Sequence, residues 1–136
     1  MDYERLRAFR NERNPFPRRL GIYVEELRPG YARAVKTVTE EDLNPIQVTH
    51  GGVYYTLADT ACGSVMAAYG TMAVTINSAF SFLKSAQAGE RLTAEARELP
   101  GGRSVCVLEV RVTGGEGELF ATGTFTFRRL DKPIAF

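Results

Sequence analysis

The stretch from His50 to Tyr69 constrains the fold of this chain more than any other. Tyr54, Leu57, Ala61, Val65 and Met66 fall at helical spacing, and the residues between them are also largely apolar, so a helix here is hydrophobic nearly all round. Such a helix must be enclosed, and no single sheet face is expected to cover it. With no second helix of similar length in the chain, a second copy of the protein is the simplest cover. Inside this stretch stands one acid, Asp59, nine residues after His50, the only histidine. No Lys, Arg or His lies between His50 and Lys84, and an unpaired buried carboxylate is costly. Asp59 is therefore either paired structurally or kept for chemistry, and the second reading is the better one.

The rest of the chain supplies the enclosure. Residues 2–13 place Tyr3, Leu6 and Phe9 at helical spacing before the "NPFP" breaker, as a short packing helix does. "LGIYVEEL" and "YARAVKTVT" read as two strands joined at Pro29-Gly30. After the long helix come four more: "MAVTINSAFSFLKS", "ERLTAEAREL", "RSVCVLEVRVT" and "LFATGTFTFRRL", with glycine in each separator. Leu92, Ala94 and Ala96 alternate with Thr93, Glu95 and Arg97, and Cys106, Leu108, Val110 and Val112 with Val105, Val107, Glu109 and Arg111. The expected class is α+β, one antiparallel sheet packed on one long helix. Residues 1–17 are read as N-terminal helix and connector, and 18–136 as a single domain.

With 136 residues, 44% of them hydrophobic, the chain can bury one core. Seventeen basic residues against sixteen acidic leave a net charge of +1, which provides no general field toward nucleic acid or an anionic membrane. Cys62 and Cys106 lie in apolar segments with no ligand-like neighbours, so they read as buried thiols and no metal site is expected. The uncharged run from Thr60 to Leu83 has a membrane span's length, but Gly63, Gly70, Asn77 and Ser81 interrupt it. Without a signal-peptide pattern either, a cytoplasmic location is expected.

Two glycines, Gly51 and Gly52, open the long helix. Their amides and the positive end of the helix dipole suit a polarised carbonyl oxygen; alternatively, the glycines serve only a tight entry and close packing. Asp59 is about 12 Å along the axis from Gly51 and roughly 80° around it, too far for one carbonyl to touch both. A site using both draws them from antiparallel helices of two protomers.

The segment "NPIQVTHGGVYYTLADTA", in this order of elements, resembles the hot-dog fold thioesterases of the phenylacetic-acid-degradation (PaaI-like) type. The resemblance covers about residues 18–128 and is most specific over 44–61. It implies a curved antiparallel sheet wrapped around the central helix, homodimers that assemble into homotetramers, and hydrolysis of acyl-CoA, with coenzyme A as part of the substrate and no separate cofactor. By motif, Asp59 is the catalytic carboxylate, as nucleophile or as base for water; Gly51 is the oxyanion donor and Gly52 shapes the turn. Asn44 orients water or thioester, His50 holds the loop, and Thr75 is the hydroxyl beside the carboxylate. Asn77, two residues on, is expected to face the same side as Thr75. Lys84, where Arg-Pro is frequent in the family, is either a CoA phosphate contact or an ordinary surface lysine. Tyr54, Tyr55, Met66, Phe80 and Phe82 are core or acyl-pocket residues, Tyr55 and Phe82 being the substrate-binding candidates. The alternative functions are a non-catalytic acyl-CoA-binding sensor or regulatory module, and a hot-dog hydratase.

Overall fold

The computed structural model describes residues 1–136. Helix α1 (Tyr3–Arg13) starts where the Asp2 side chain accepts the Arg5 amide at 3.0 Å, and it buries Leu6 completely. Proline can start a helix but not continue one, so a short second helix, α2 (Pro15–Arg19), forms where the sequence reading has only a breaker. Strands β1 (Tyr23–Arg28) and β2 (Tyr31–Thr37) pair across Pro29-Gly30, with Gly30 at φ +80°. A 3-10 turn at Glu40–Asp42 leads into the long helix α3 (Gly51–Ala67), followed by β3 (Thr71–Phe82), β4 (Arg91–Glu98), β5 (Val105–Thr113) and β6 (Leu119–Pro133).

All six strands join one antiparallel sheet in the order β1-β2-β4-β5-β6-β3. This is the expected α+β hot-dog arrangement. The period-two pattern places Leu92, Ala94, Ala96, Cys106, Leu108, Val110 and Val112 in the core, each fully buried. Both cysteines are buried and free. No helix is long and apolar enough to cross a membrane.

The sheet does not cover α3 alone, as expected, but part of the remaining cover comes from the chain's own N-terminal helices and not from a second copy. The helix touches all six strands and both α1 and α2, and eleven of its seventeen residues are buried within the single chain. The sheet curls around the helix, and the N-terminal helices close part of the remaining side. What stays partly open is a stripe that includes Tyr55, Thr56, Asp59 and Gly63, spaced as one helix face requires. The unmet apolar surface lies on β3 instead. That strand ends the sheet with one edge unpaired, and Val74 and Ile76 are 46% and 53% exposed.

A bulge in β3 decides which of its side chains meet the helix. Thr75 pairs with Phe127, but Asn77 pairs with Thr126, so Ile76 is an extra residue. Phe127 and Phe125 point into the core while Thr126 lies between them on the opposite face. Asn77 therefore faces away from Thr75, contrary to simple alternation, and Ser78, opposite Phe125, takes the inner face.

Gly123 lets β3 approach β6 this closely. A Cβ there would strike the Ala79 carbonyl oxygen and come within 2.8 Å of the Phe80 Cα, both backbone atoms that cannot step aside. Gly123→Ala is expected to cost about 1–3 kcal/mol by overpacking, measured as a lowered urea midpoint, with the largest loss of amide protection in β3.

Candidate active site

The entrance to α3 is held by a chain of polar contacts. Lys36 and Asp42, both nearly inaccessible, form an ion pair at 2.9 Å, and Lys36 also donates to the Leu20 carbonyl. Asp42 Oδ2 accepts the Thr39 amide at 2.7 Å. Burial opposes the Asp42 charge, but the Thr39 N–H and the Lys36 ammonium outweigh it and hold the carboxyl below its usual value. The Asp42 carbonyl then receives the His50 amide at 2.8 Å. Asn44 Oδ1 accepts the Ile46 and Val48 amides at 3.1 and 3.2 Å, closing a turn in which Gln47 takes φ +67°. Asn44 thus organises this loop, and its amide nitrogen has no acceptor within the chain.

His50 is the N-cap of α3, and its Nδ1 accepts the Gly52 amide at 2.9 Å. That contact uses the Gly52 N–H, so only one of the two glycine amides remains available. The Gly51 amide has no partner within the chain and sits at the positive end of the helix. A Cβ at Gly51 would lie 3.2 Å from Cε1 of Phe82, so glycine keeps this approach open beside an aromatic ring.

Two turns along α3, Asp59 Oδ1 accepts the Thr75 hydroxyl at 2.6 Å. Both residues line an open cleft of about 660 Å³ between the N-terminal helices, α3, β3 and the C-terminal end of β6. Its walls include Phe9, Phe16, Met72, Leu130 and Ile134, a largely apolar setting of a size that takes a small organic ligand. Burial pushes the Asp59 carboxyl above its ordinary value of 3.8, against the Thr75 hydrogen bond and the Arg10 charge, which pull it down. The same burial, reinforced by Asp59, holds the Cys62 thiol well above its usual range and leaves it unreactive.

The remaining candidates separate into groups. Asn44, His50, Gly51, Gly52 and Phe82 gather at the start of α3, away from the Asp59–Thr75 cleft. Tyr54 and Met66 are core: the Tyr54 hydroxyl donates to the Lys84 carbonyl and accepts the Ala86 amide. Tyr55 packs on Phe80 and Phe125 and shares a 2.7 Å hydrogen bond with Ser78. None of these aromatic side chains lines the cleft beside Asp59. Lys84 is over half exposed, 4.0 Å from Glu118 and above the Phe120 ring, as a surface lysine would be. Sequence reasoning missed Arg10, which lines the cleft from α1. Its position, four after Leu6 and seven after Tyr3, was the available signal for an inward face.

Three known proteins are similar to this chain in sequence and fold. A model of the thioesterase superfamily matches residues 46–121. The acyl-coenzyme A thioesterase PaaI of Escherichia coli is 32% identical over 102 residues, which cover 75% of this chain and 73% of that protein. A structure of E. coli PaaI matches 98% of this chain and 97% of its own with a TM-score of 0.91 at 28% identity. The TT0310 protein of Thermus thermophilus is 35% identical, with a TM-score of 0.82 over 87% of this chain and 99% of its own. A hypothetical thioesterase of Streptococcus pneumoniae, solved with coenzyme A, has a TM-score of 0.78 at 29% identity over 83% of this chain and 91% of its own. That protein has also been solved with an Asp replaced by Ala and with a Thr replaced by Ala, sixteen positions apart. Asp59 and Thr75 are sixteen apart as well.

Titration of the Asp59 carboxyl by carbon NMR is expected to give a pKa above 3.8, and higher still in Thr75→Val and in Arg10→Met, since each removes a group that favours the anion. Asp42→Asn strands Lys36 without its counter-charge and is expected to cost about 3–5 kcal/mol, read from urea unfolding. The stability that Asp42 contributes is present above its unfolded pKa and is lost as pH falls through the lower folded value.

Proposed function

This chain belongs to the thioesterase superfamily, as a hot-dog enzyme of the PaaI-like type, and we propose that it hydrolyses small, medium or aryl-acyl-CoA thioesters at a site shared between two protomers. The observation that carries this reading is the Asp59 carboxylate, held through one oxygen by Thr75 at the head of an apolar cleft. Its other oxygen is left for chemistry. Burial raises its pKa and so makes it a stronger base than an exposed aspartate.

In the reaction, Asp59 either takes a proton from water as the water oxygen bonds to the thioester carbonyl carbon, or adds to that carbon itself. Negative charge then gathers on the carbonyl oxygen, where the Gly51 N–H donates. Collapse breaks the C–S bond and releases the CoA thiolate; if Asp59 has added, water next cleaves the mixed anhydride. Asn44, with a free amide nitrogen, holds the water or the carbonyl, and His50 keeps the Gly51 amide aimed by capping its neighbour.

Two protomers are needed because the free Gly51 amide and Asp59 lie about 12 Å apart along the axis of one helix. Antiparallel copies of α3 bring one protomer's Gly51 to the other's Asp59. The unpaired edge of β3 is the place where two such chains join, and a dimer of dimers completes the assembly. Coenzyme A bound to the Streptococcus pneumoniae relative supports the substrate class. The likeness to a protein of the phenylacetic acid degradation operon supports phenylacetyl-type esters.

Thiol release from a panel of acyl-CoAs, short aliphatic through phenylacetyl and hydroxyphenylacetyl, tests the proposal. Asp59→Asn and Asp59→Ala are expected to lose at least about 10²–10⁴-fold in kcat while eluting with the wild-type oligomer on gel filtration. Turnover retained in either variant would overturn the assignment of Asp59.

A further inference from the structure

Arg10 is the only charged side chain besides Asp59 that lines the cleft. Its Nε donates to Ser64 Oγ at 2.9 Å, and that hydroxyl is itself fixed by donating to the Thr60 carbonyl at 2.8 Å. The two terminal nitrogens make no hydrogen bond or ion pair within the chain. Nη2 rests above Gly63, where a Cβ would stand only 3.2 Å from it, so the glycine leaves the space that the guanidinium occupies. Gly63 follows Asp59 by four residues, one turn and about 6 Å along the same face of α3. Burial lowers the Arg10 pKa to about 10, against the attraction of Asp59, so the group stays cationic at neutral pH.

A partly desolvated guanidinium with free donors and apolar neighbours such as Phe9 and Phe16 is unfavourable unless something accepts from it. Asp59 does not: it forms no ion pair with Arg10, and one of its oxygens is engaged by Thr75. We propose that Arg10 is the receptor for an oxygen acceptor, above all a carboxylate, at the far end of the acyl group whose carbonyl Asp59 attacks. The inference rests on the thioesterase reading and narrows its substrate class to oxygenated acyl chains. The guanidinium offers a planar fork that receives a carboxylate through two parallel hydrogen bonds, and a hydroxyl or oxo group through one. Gly63, against which the guanidinium rests, stands one helical turn from Asp59, a spacing on the scale of a medium dicarboxylic acyl chain.

The test compares kcat/KM for adipyl-CoA, its ω-methyl ester and hexanoyl-CoA. Wild type is expected to prefer adipyl over hexanoyl by about ten- to a hundredfold, the usual range for a hydrogen bond to a charged group, with the methyl ester between them. In Arg10→Met the adipyl-to-hexanoyl ratio is expected to fall to one or below, whatever happens to the absolute rates, and Arg10→Lys to restore part of it. A wild-type ratio near one, or a ratio preserved in Arg10→Met, overturns the proposal. The wild-type comparison decides it alone if the variants do not fold. Absence of thiol release from every ester overturns the thioesterase reading instead, and this inference with it.

Discussion

Enclosure of α3 governs the rest of the molecule, because an apolar helix of seventeen residues is stable only where other elements replace water around it. The sheet does most of this by curling, and α1 and α2 cover part of what the sheet leaves. The narrow stripe that they cover only in part is where Thr56, Asp59 and Gly63 stand. The candidate carboxylate is thus partly exposed at a gap in an otherwise complete core. Its raised pKa and its accessibility have the same origin, since one neighbouring wall desolvates it while the other side stays open to the cleft.

At the other end of the helix the problem is orientation rather than burial. A free amide is useful only if it points in a fixed direction, and a connection of thirteen residues between β2 and α3 would not fix it unaided. The buried Lys36–Asp42 pair, the Asn44 turn and the His50 cap each remove freedom from that loop. None of them needs to touch a ligand. Their combined effect is to leave the Gly51 N–H as the one amide of the two glycines without an internal partner.

Elements were legible in the sequence where a single periodicity operated. The alternation in β4 and β5 identified their buried residues one by one, and the glycine-bearing separators marked the turns. Legibility failed where two periodicities met or where contacts came from far away in sequence. The extra residue at Ile76 reversed the face of Asn77, and nothing in "VTINSAF" announces a bulge. Arg10 and Ser64, fifty-four residues apart, meet only because α1 folds back along α3. The Asp59–Thr75 pair was readable from its motif, whereas the cleft around it depends on Phe16, Leu130 and Ile134, which no local pattern links. That one sheet would not suffice for α3 was legible, but not that α1 and α2 would supply part of the cover, because hydropathy records how much surface must be buried and not which elements reach it.

The pairing of β3 has a consequence for how the protein is made. Its only partner in the sheet is β6, which begins thirty-seven residues after β3 ends. At about 5–20 residues per second, a ribosome needs seconds to supply that partner, and meanwhile an apolar strand has no neighbour to pair with. Thr75 therefore cannot be pinned beside Asp59 until β6 emerges. The cleft takes its shape only after β6 has emerged, and until then the Asp59 carboxylate stands without the strand that fixes Thr75 beside it.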